Sequence, residues 1–369
     1  MASLVALDLP LGPRLEDAVR ACASEGDAVT VVDSRWSPRA RRAALDALGV
    51  TEVWDADGRH RLSDGGTVDD EVGAVVLTSG SSGAPKAAEI TWDALRASAR
   101  LTQATLRDDR PPAWFPCLPA VHIGGLAVIL RAVLDDASLV WAPSDRFDLA
   151  LERGATHVAV VRAHLSRYDL SGFRTVLLGG ARPPTDRPAN VVTTWGMTET
   201  GSGVVYDGRP LPEVEISTSD GELLVRSPTL FRSYRDRPRP SATGPDGRDD
   251  WFPTGDAAEI VDGRLHVSGR RAYVINTGGE KVWPDDLEAV LASVGGVRDV
   301  AVTAVPDDEW GDRLVALVVT DGRRVDDSLV TVAAEAIGPW AKPKEIRYVT
   351  AIPRTGNGKI RRSDLPYLQ

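Results

Sequence analysis

The stretch VVLTSGSSGAPKAAEIT, Val75–Thr91, holds an apolar run, six residues drawn only from Thr, Ser and Gly, and then Ala-Pro-Lys. Small residues after a strand let backbone N–H groups and hydroxyls converge on one point, and a lysine adds charge. That combination suits phosphate oxygens. Two other readings fail. A Walker loop needs Gly-Lys followed by Ser or Thr, but Lys86 follows proline and precedes alanine. A nucleophile elbow needs Gly-x-Ser-x-Gly, but the fifth position from Gly80 is Ala84. The bland alternative is a flexible Gly/Ser linker. Lysine is scarce: Lys86, Lys281, Lys342, Lys344 and Lys359 are the only five among 43 basic residues, so each is informative.

Four further stretches carry chemistry. WGMTE (Trp195–Glu199) offers a flat ring, a hydroxyl and a carboxylate within five residues. DDWFPTGD (Asp249–Asp256) ends on a carboxylate, GRRAYVINTGGEKVWPDDLE (Gly269–Glu288) holds a glycine pair, and PRTGNGKIRR (Pro353–Arg362) sets Lys359 in a glycine loop. Together with the hydroxyl-glycine loop, and in this order, they resemble the motifs of the adenylate-forming superfamily. That superfamily comprises acyl- and aryl-CoA synthetases, luciferases and peptide-synthetase adenylation domains. The resemblance covers the chain from about Val75 to its end, and five motifs in order displace the linker reading.

The resemblance implies ATP and coenzyme A as co-substrates and Mg²⁺ as the metal. A carboxylate attacks the α-phosphorus, pyrophosphate leaves, and a thiol then displaces AMP. Thr78, Ser79, Gly80, Ser81, Ser82, Gly83 and Lys86 are implied to cradle the β- and γ-phosphates. Glu199 would hold Mg²⁺, a hard cation suited to carboxylate and water, and Thr198 would donate to the α-phosphate. Trp195, where the family usually has tyrosine, would lie against adenine with Gly196 beside it, and Gly179, Gly180 and Ala181 match the glycine turn at adenine. Asp256 would accept from both ribose hydroxyls, with Arg270 behind it. Lys359 would bridge the acyl carboxylate and the α-phosphate. Gly278, Gly279 and Lys281 belong to the thioester motif. His122, in LPAVHIGGLAVILR, would line the acyl pocket; taken alone, a single histidine is more often structural.

Two departures stand out. Ala272 and Tyr273 occupy the hinge region, where the family usually has an acidic residue or lysine. The phosphate loop also begins near residue 78, so most of an N-terminal subdomain is missing relative to typical members. The glycines of HIGGL are expected to leave room for an aromatic ring. A second substrate carboxylate would need a cationic partner, for which Arg131 and Arg182 are near the pocket motifs. The expected activity is that of an acid–CoA ligase acting through an acyl-adenylate. A ligase for another aryl or short-chain acid, or a non-catalytic nucleotide-binding protein, are the alternatives.

The elements that must hold these residues alternate. AVTVVD (Ala28–Asp33) reads as a buried strand, and Ser37–Gly49 as a capped helix ending at glycine. GAVVLTSG is a second strand, and Thr91–Leu106 a helix with Thr91 as N-cap. HVAVV, TVLLGG, NVVTTWG and EVEIST complete the strands, so the fold is α/β, with mostly parallel sheets and flanking helices. After Gly269 the order changes to a small α+β unit. The expected domains are 1–268, binding ATP and acid, and a mobile 269–369 carrying the thioester face and Lys359.

The net charge of −10 argues against nucleic acid. No apolar run approaches the roughly 20 residues of a membrane span, and the first residues lack a signal-peptide pattern. Cys22 and Cys117 are the only cysteines, too few for a disulfide framework or a metal spacing. These features lead to an expected cytoplasmic location.

Overall fold

A computed structural model describes residues 2–33, 35–62, 65–78, 86–106, 110–180, 186–355 and 358–365. Ser79, Gly80, Ser81, Ser82, Gly83, Ala181 and Arg182 lie outside the described residues. By internal contacts the chain divides into two units: 1–216 with 225–252, and 217–224 with 253–369.

The first unit holds two sheets with parallel hearts, the eight-stranded one with antiparallel strands at both edges and the seven-stranded one at a single edge. In the eight-stranded sheet Val72–Thr78, Ala28–Val31, Leu4–Leu7 and Glu52–Asp55 run parallel side by side. Leu4–Leu7 and Ala28–Val31 are buried along their whole length, as expected of parallel strands covered on both faces. In the seven-stranded sheet the parallel heart is Ser138–Leu139, Ala113–Phe115, His157–Val161, Thr175–Gly179 and Val191–Met197. Phe115, Phe147 and Phe173 pack beneath it with Val158 and Val176. The helices begin where their caps dictate. Ser37 Oγ accepts from the Ala40 N–H at 3.2 Å to open Pro38–Leu48, which closes on Gly49 at φ +62°. Thr91 Oγ1 accepts from the Ala94 N–H at 3.1 Å to open Trp92–Leu106.

One local reading changes. Lys86–Thr91 is a strand, folded back antiparallel on Val72–Thr78, with Thr78 opposite Lys86. The hydroxyl-glycine stretch therefore connects two strands, where the sequence placed it between a strand and a helix. Ala88 and Ile90 are buried in the core and Glu89 between them is buried too, held by Arg232 and Arg235, so no in–out alternation marks this strand in the sequence.

The second unit is built on Gly311–Thr320, paired antiparallel with Val297–Asp307 and Ile275–Thr277 and parallel with Glu345–Tyr348. Leu287 and Leu291 of helix Pro284–Leu291, with Leu329 of Asp326–Ala336, pack against Val300, Val302 and Leu314. Gly269, the expected boundary, sits in the strand Arg264–Arg270 of this unit. Compactness groups that strand with the C-terminal elements; where the chain pivots is a different property.

Candidate functional site

The candidate residues divide between the units. Thr78, Lys86, His122, Gly179, Gly180, Trp195, Gly196, Thr198 and Glu199 lie in the first, and Asp256, Arg270, Gly278, Gly279, Lys281 and Lys359 in the second.

In the first unit the strand Val191–Met197 carries Trp195 and Gly196 at a bulge against Ser202–Tyr206. A Cβ on Gly196 would stand 2.1 Å from the Ser202 carbonyl oxygen, so only glycine fits. The chain then makes a single 3₁₀ turn, Thr198–Thr200. Thr200 Oγ1 accepts from the Met197 N–H at 2.8 Å and donates to the Ser202 carbonyl at 2.7 Å, which fixes the turn. Glu199 inside it is 6% exposed. Its Oε1 accepts the Tyr234 hydroxyl at 2.9 Å, and its carbonyl accepts the Phe231 N–H at 2.9 Å. Lys86, at the first position of its strand, places Nζ 5.4 Å from the Tyr234 ring centroid. Gly180, at φ +86°, turns the chain out of the strand Thr175–Gly179.

The donor set fits Mg²⁺. A single fixed carboxylate, with waters and substrate phosphates completing an octahedron, is how this ion is commonly held. Among the described residues no group of three His, Cys, Asp or Glu converges as a closed cage for a softer metal would require.

His122 is the N-cap of helix Ile123–Leu134 and is half-buried. It lies within electrostatic reach of Asp33, whose carboxyl is held below the ordinary range chiefly by Arg35, through bonds of 2.8 and 2.6 Å. Asp33 carries no signal in the sequence because its link to His122 spans two separate elements. The HIGGL glycines differ from expectation. A Cβ on Gly125 would collide with the Pro119 carbonyl oxygen at 2.3 Å, so that glycine serves helix packing; Gly124 meets only Leu118 Cδ1, at 3.8 Å. Room for a substrate ring is therefore an argument from Gly124 alone.

Arg131, on the same helix, is 2% exposed. Its guanidinium lies 4.4 Å over the Trp114 ring, and its Nε and Nη1 have no hydrogen-bond partner. Burial pulls its proton affinity below the usual arginine value, opposed by Tyr206. The two cysteines are inert by comparison: burial pushes both Cys22 and Cys117 up to about 12.

In the second unit Asp256 pairs with Arg270 across the hairpin of Phe252–Val261 and Arg264–Arg270, Oδ1 to Nε at 2.9 Å. Arg270 Nη1 also donates to the Thr254 carbonyl at 2.7 Å. Gly278 and Gly279, at φ +59° and +84°, form the two-residue turn between Ile275–Thr277 and Glu280–Val282. Two left-handed residues at such a turn match the twist of the paired strands. Lys281 is exposed on the second of these strands. Lys359 is exposed in a loop closed by the Thr355 N–H donating to the Lys359 carbonyl at 2.7 Å and the Lys359 N–H donating to Thr355 Oγ1 at 3.1 Å. Arg362, three residues on, grips Glu288, whose carboxyl burial pushes up to about 7 against the pull of that guanidinium. Ala272 is exposed in the short turn Arg271–Tyr273.

Glu199 and Lys86 both meet Tyr234, Gly180 turns the chain in the same unit, and a separate unit carries the lysine loop, an arrangement consistent with a ligase of the AMP-forming class. The chain belongs to the AMP-binding enzyme family: the family profile matches residues 60–235, and the profile of the AMP-binding enzyme C-terminal domain matches 286–359. The probable 2-succinylbenzoate–CoA ligase of Mycobacterium tuberculosis is 36% identical over 332 residues, 82% of this chain and 85% of that protein. The 2-succinylbenzoate–CoA ligase of Bacillus anthracis is 29% identical over 344 residues, 81% of this chain and 70% of that protein. The fold is similar to that of o-succinylbenzoate CoA synthetase from Bacillus subtilis, solved with its acyl-adenylate intermediate. The TM-score is 0.85 at 23% identity, over 99% of this chain and 88% of that one. ATP-bound MatB from Rhodopseudomonas palustris gives a TM-score of 0.83 at 20% identity, over 98% and 88%. No helix among the described residues is long and apolar enough to cross a membrane.

Proposed function

We propose that this protein is an ATP- and Mg²⁺-dependent acid–CoA ligase whose acid is 2-succinylbenzoate. Its relative from M. tuberculosis bears that activity in its name at 36% identity. The observation that carries the choice of acid is that identity, over 82% of this chain and 85% of the relative; Arg131, the partner expected for a second carboxylate, lies buried over Trp114. A fully buried guanidinium with two unbonded donors is costly, and a substrate with a second carboxylate would offset that cost. Arg182, the other candidate, is outside the described residues.

In this reading the substrate carboxylate attacks the α-phosphorus of ATP, the bond to the β-phosphate oxygen breaks, and pyrophosphate leaves. Bound Mg²⁺ supplies charge neutralisation on the phosphates. Glu199 holds the metal, Lys86 and Thr78 meet the terminal phosphates, and Thr198 donates to the α-phosphate. Trp195 faces adenine beside Gly179, Gly180 and Gly196. Asp256 accepts the ribose hydroxyls, aligned by Arg270. Lys359 stabilises charge developing between the two reacting anions, the largest electrostatic need of the step. The coenzyme A thiol then attacks the acyl carbon and AMP leaves, with the Gly278-Gly279 turn and Lys281 serving this half. The unit beyond Gly269 turns between the two tasks, pivoting at Ala272. Both co-substrates are cytoplasmic metabolites, and we assign the protein to that compartment.

The test is AMP release with ATP, Mg²⁺ and coenzyme A across three acids. Succinylbenzoate is expected to exceed benzoate and octanoate by at least about 10² in kcat/KM, about 2.7 kcal/mol. Equal or better turnover of benzoate or octanoate would make it a ligase of another acid. No AMP or pyrophosphate from any acid would make it a nucleotide-binding protein without catalysis.

A further inference from the structure

The carboxylate assigned to Mg²⁺ accepts a hydrogen bond from a residue that none of the five motifs contains. Tyr234 lies in the two-residue strand Ser233–Tyr234, paired antiparallel with Lys86–Thr91 so that it stands opposite Ala88. Its hydroxyl donates to Glu199 Oε1 at 2.9 Å in a buried contact. Its ring lies 5.4 Å from Lys86 Nζ. One side chain thus touches both the acidic and the basic group assigned to the phosphates.

The surroundings hold Tyr234 in place from three directions. The Arg232 and Arg235 N–H groups donate to the carbonyls of Glu89 and Ala87, at 2.8 and 2.9 Å, on either side of it. The buried Glu89 carboxylate accepts from Ser233 Oγ at 3.1 Å, Arg235 Nη1 at 3.1 Å and Arg232 Nη1 at 3.2 Å. Phe231 packs edge-on against the Tyr234 ring at 4.8 Å while its own N–H holds the Glu199 backbone. Backbone and carboxylate of Glu199 are therefore tied to one segment, 231–234, which is itself clamped on the strand that begins at Lys86.

We propose that Tyr234 is a positioning residue of the nucleotide–metal site. Its hydroxyl holds one oxygen of the Glu199 carboxylate and so orients the group that would meet the cation, and its ring face sets the Lys86 ammonium. This rests on the reading of Glu199 as the metal carboxylate.

Tyr234→Phe keeps the ring and removes the hydroxyl. The half-saturating Mg²⁺ concentration for adenylation is expected to rise about tenfold, the low end for loss of a group that orients a metal ligand, with KM for the acid within about twofold. Independently of turnover, the extra rise in Tm that Mg²⁺ adds to ATP over ATP with EDTA should shrink, while the Tm of the free protein stays put. Tyr234→Leu should further weaken ATP binding without Mg²⁺, since Lys86 then loses its ring face. Tyr234→Phe added to Glu199→Gln should change nothing more. A Glu199→Gln protein with an unaltered Mg²⁺ requirement overturns the metal assignment and the proposal with it. If Glu199→Gln shifts that requirement but Tyr234→Phe does not, the metal assignment stands and the positioning role is wrong. A fall in free-protein Tm with unchanged Mg²⁺ dependence would make Tyr234 a packing residue only.

Discussion

Arg362 meets Glu288 with both ends of its guanidinium, Nη1 to Oε1 at 2.9 Å and Nη2 to Oε2 at 3.0 Å. Arg362 Nη1 also donates to the Val302 carbonyl at 3.1 Å, and Glu288 Oε1 accepts the Val302 N–H at 2.8 Å. The guanidinium lies 5.5 Å from the Tyr273 ring. The lysine loop, the helix after the Gly-Gly turn and the Arg271–Tyr273 turn are thus joined through one side chain.

Breaking a buried pair from one side typically costs about 3–5 kcal/mol. Arg362→Met is expected to lower the stability of the second unit by that order. The sign of its pH dependence comes from Glu288. Burial raises its folded pKa from 4.5 to about 7, so the folded unit keeps a proton that the unfolded chain releases. This group therefore lowers stability as pH rises from about 4.5 to 7. Removing the guanidinium that opposes the shift should extend the decline above pH 7. Urea midpoints at pH 5, 6, 7 and 8 read it; parallel curves for the two proteins would refute it.

Lys359 and the Gly278-Gly279 turn belong to the same unit. If Lys359 acts only in adenylation, Lys359→Ala should lower acyl-adenylate formation by several orders of magnitude. Conversion of supplied acyl-adenylate and coenzyme A to thioester should survive. Equal loss in both half-reactions would remove Lys359 from its assigned role.

Ala272 is exposed in a turn that closes with the Val274 N–H donating to the Arg271 carbonyl at 3.4 Å. Proline there fixes φ near −65°. Ala272→Pro is expected to fold, to retain one half-reaction and to lose the other. Full turnover in a folded Ala272→Pro protein would put the pivot elsewhere.

Arg131 separates stability from selectivity. Replacing a buried, poorly bonded charge with an apolar side chain is often neutral or stabilising by about 1–4 kcal/mol. Arg131→Met should keep or raise Tm while the preference for succinylbenzoate over benzoate falls by at least about tenfold. A lower Tm with unchanged preference would make Arg131 structural.

The sequence by itself determined whatever depends on neighbours along the chain. Ser37 and Thr91 cap their helices because the N–H groups they satisfy are three residues away. The glycine pair at 278 and 279 makes its turn because both positions need positive φ. The order of five motifs was enough to name the family and the chemistry. Only the tertiary structure decided what depends on register and long-range packing. Tyr234 reaches Glu199 from 35 residues away through a two-residue strand, too short to leave a periodic signal. Gly124 and Gly125 are adjacent and identical in type, yet only Gly125 abuts the Pro119 carbonyl, because that contact is set by how the helix start packs on the preceding loop. Arg131 reads as one arginine among 38 until the fold buries it over Trp114 with two donors unbonded. Burial and partner choice are properties of the folded chain, and a charge acquires its meaning from them.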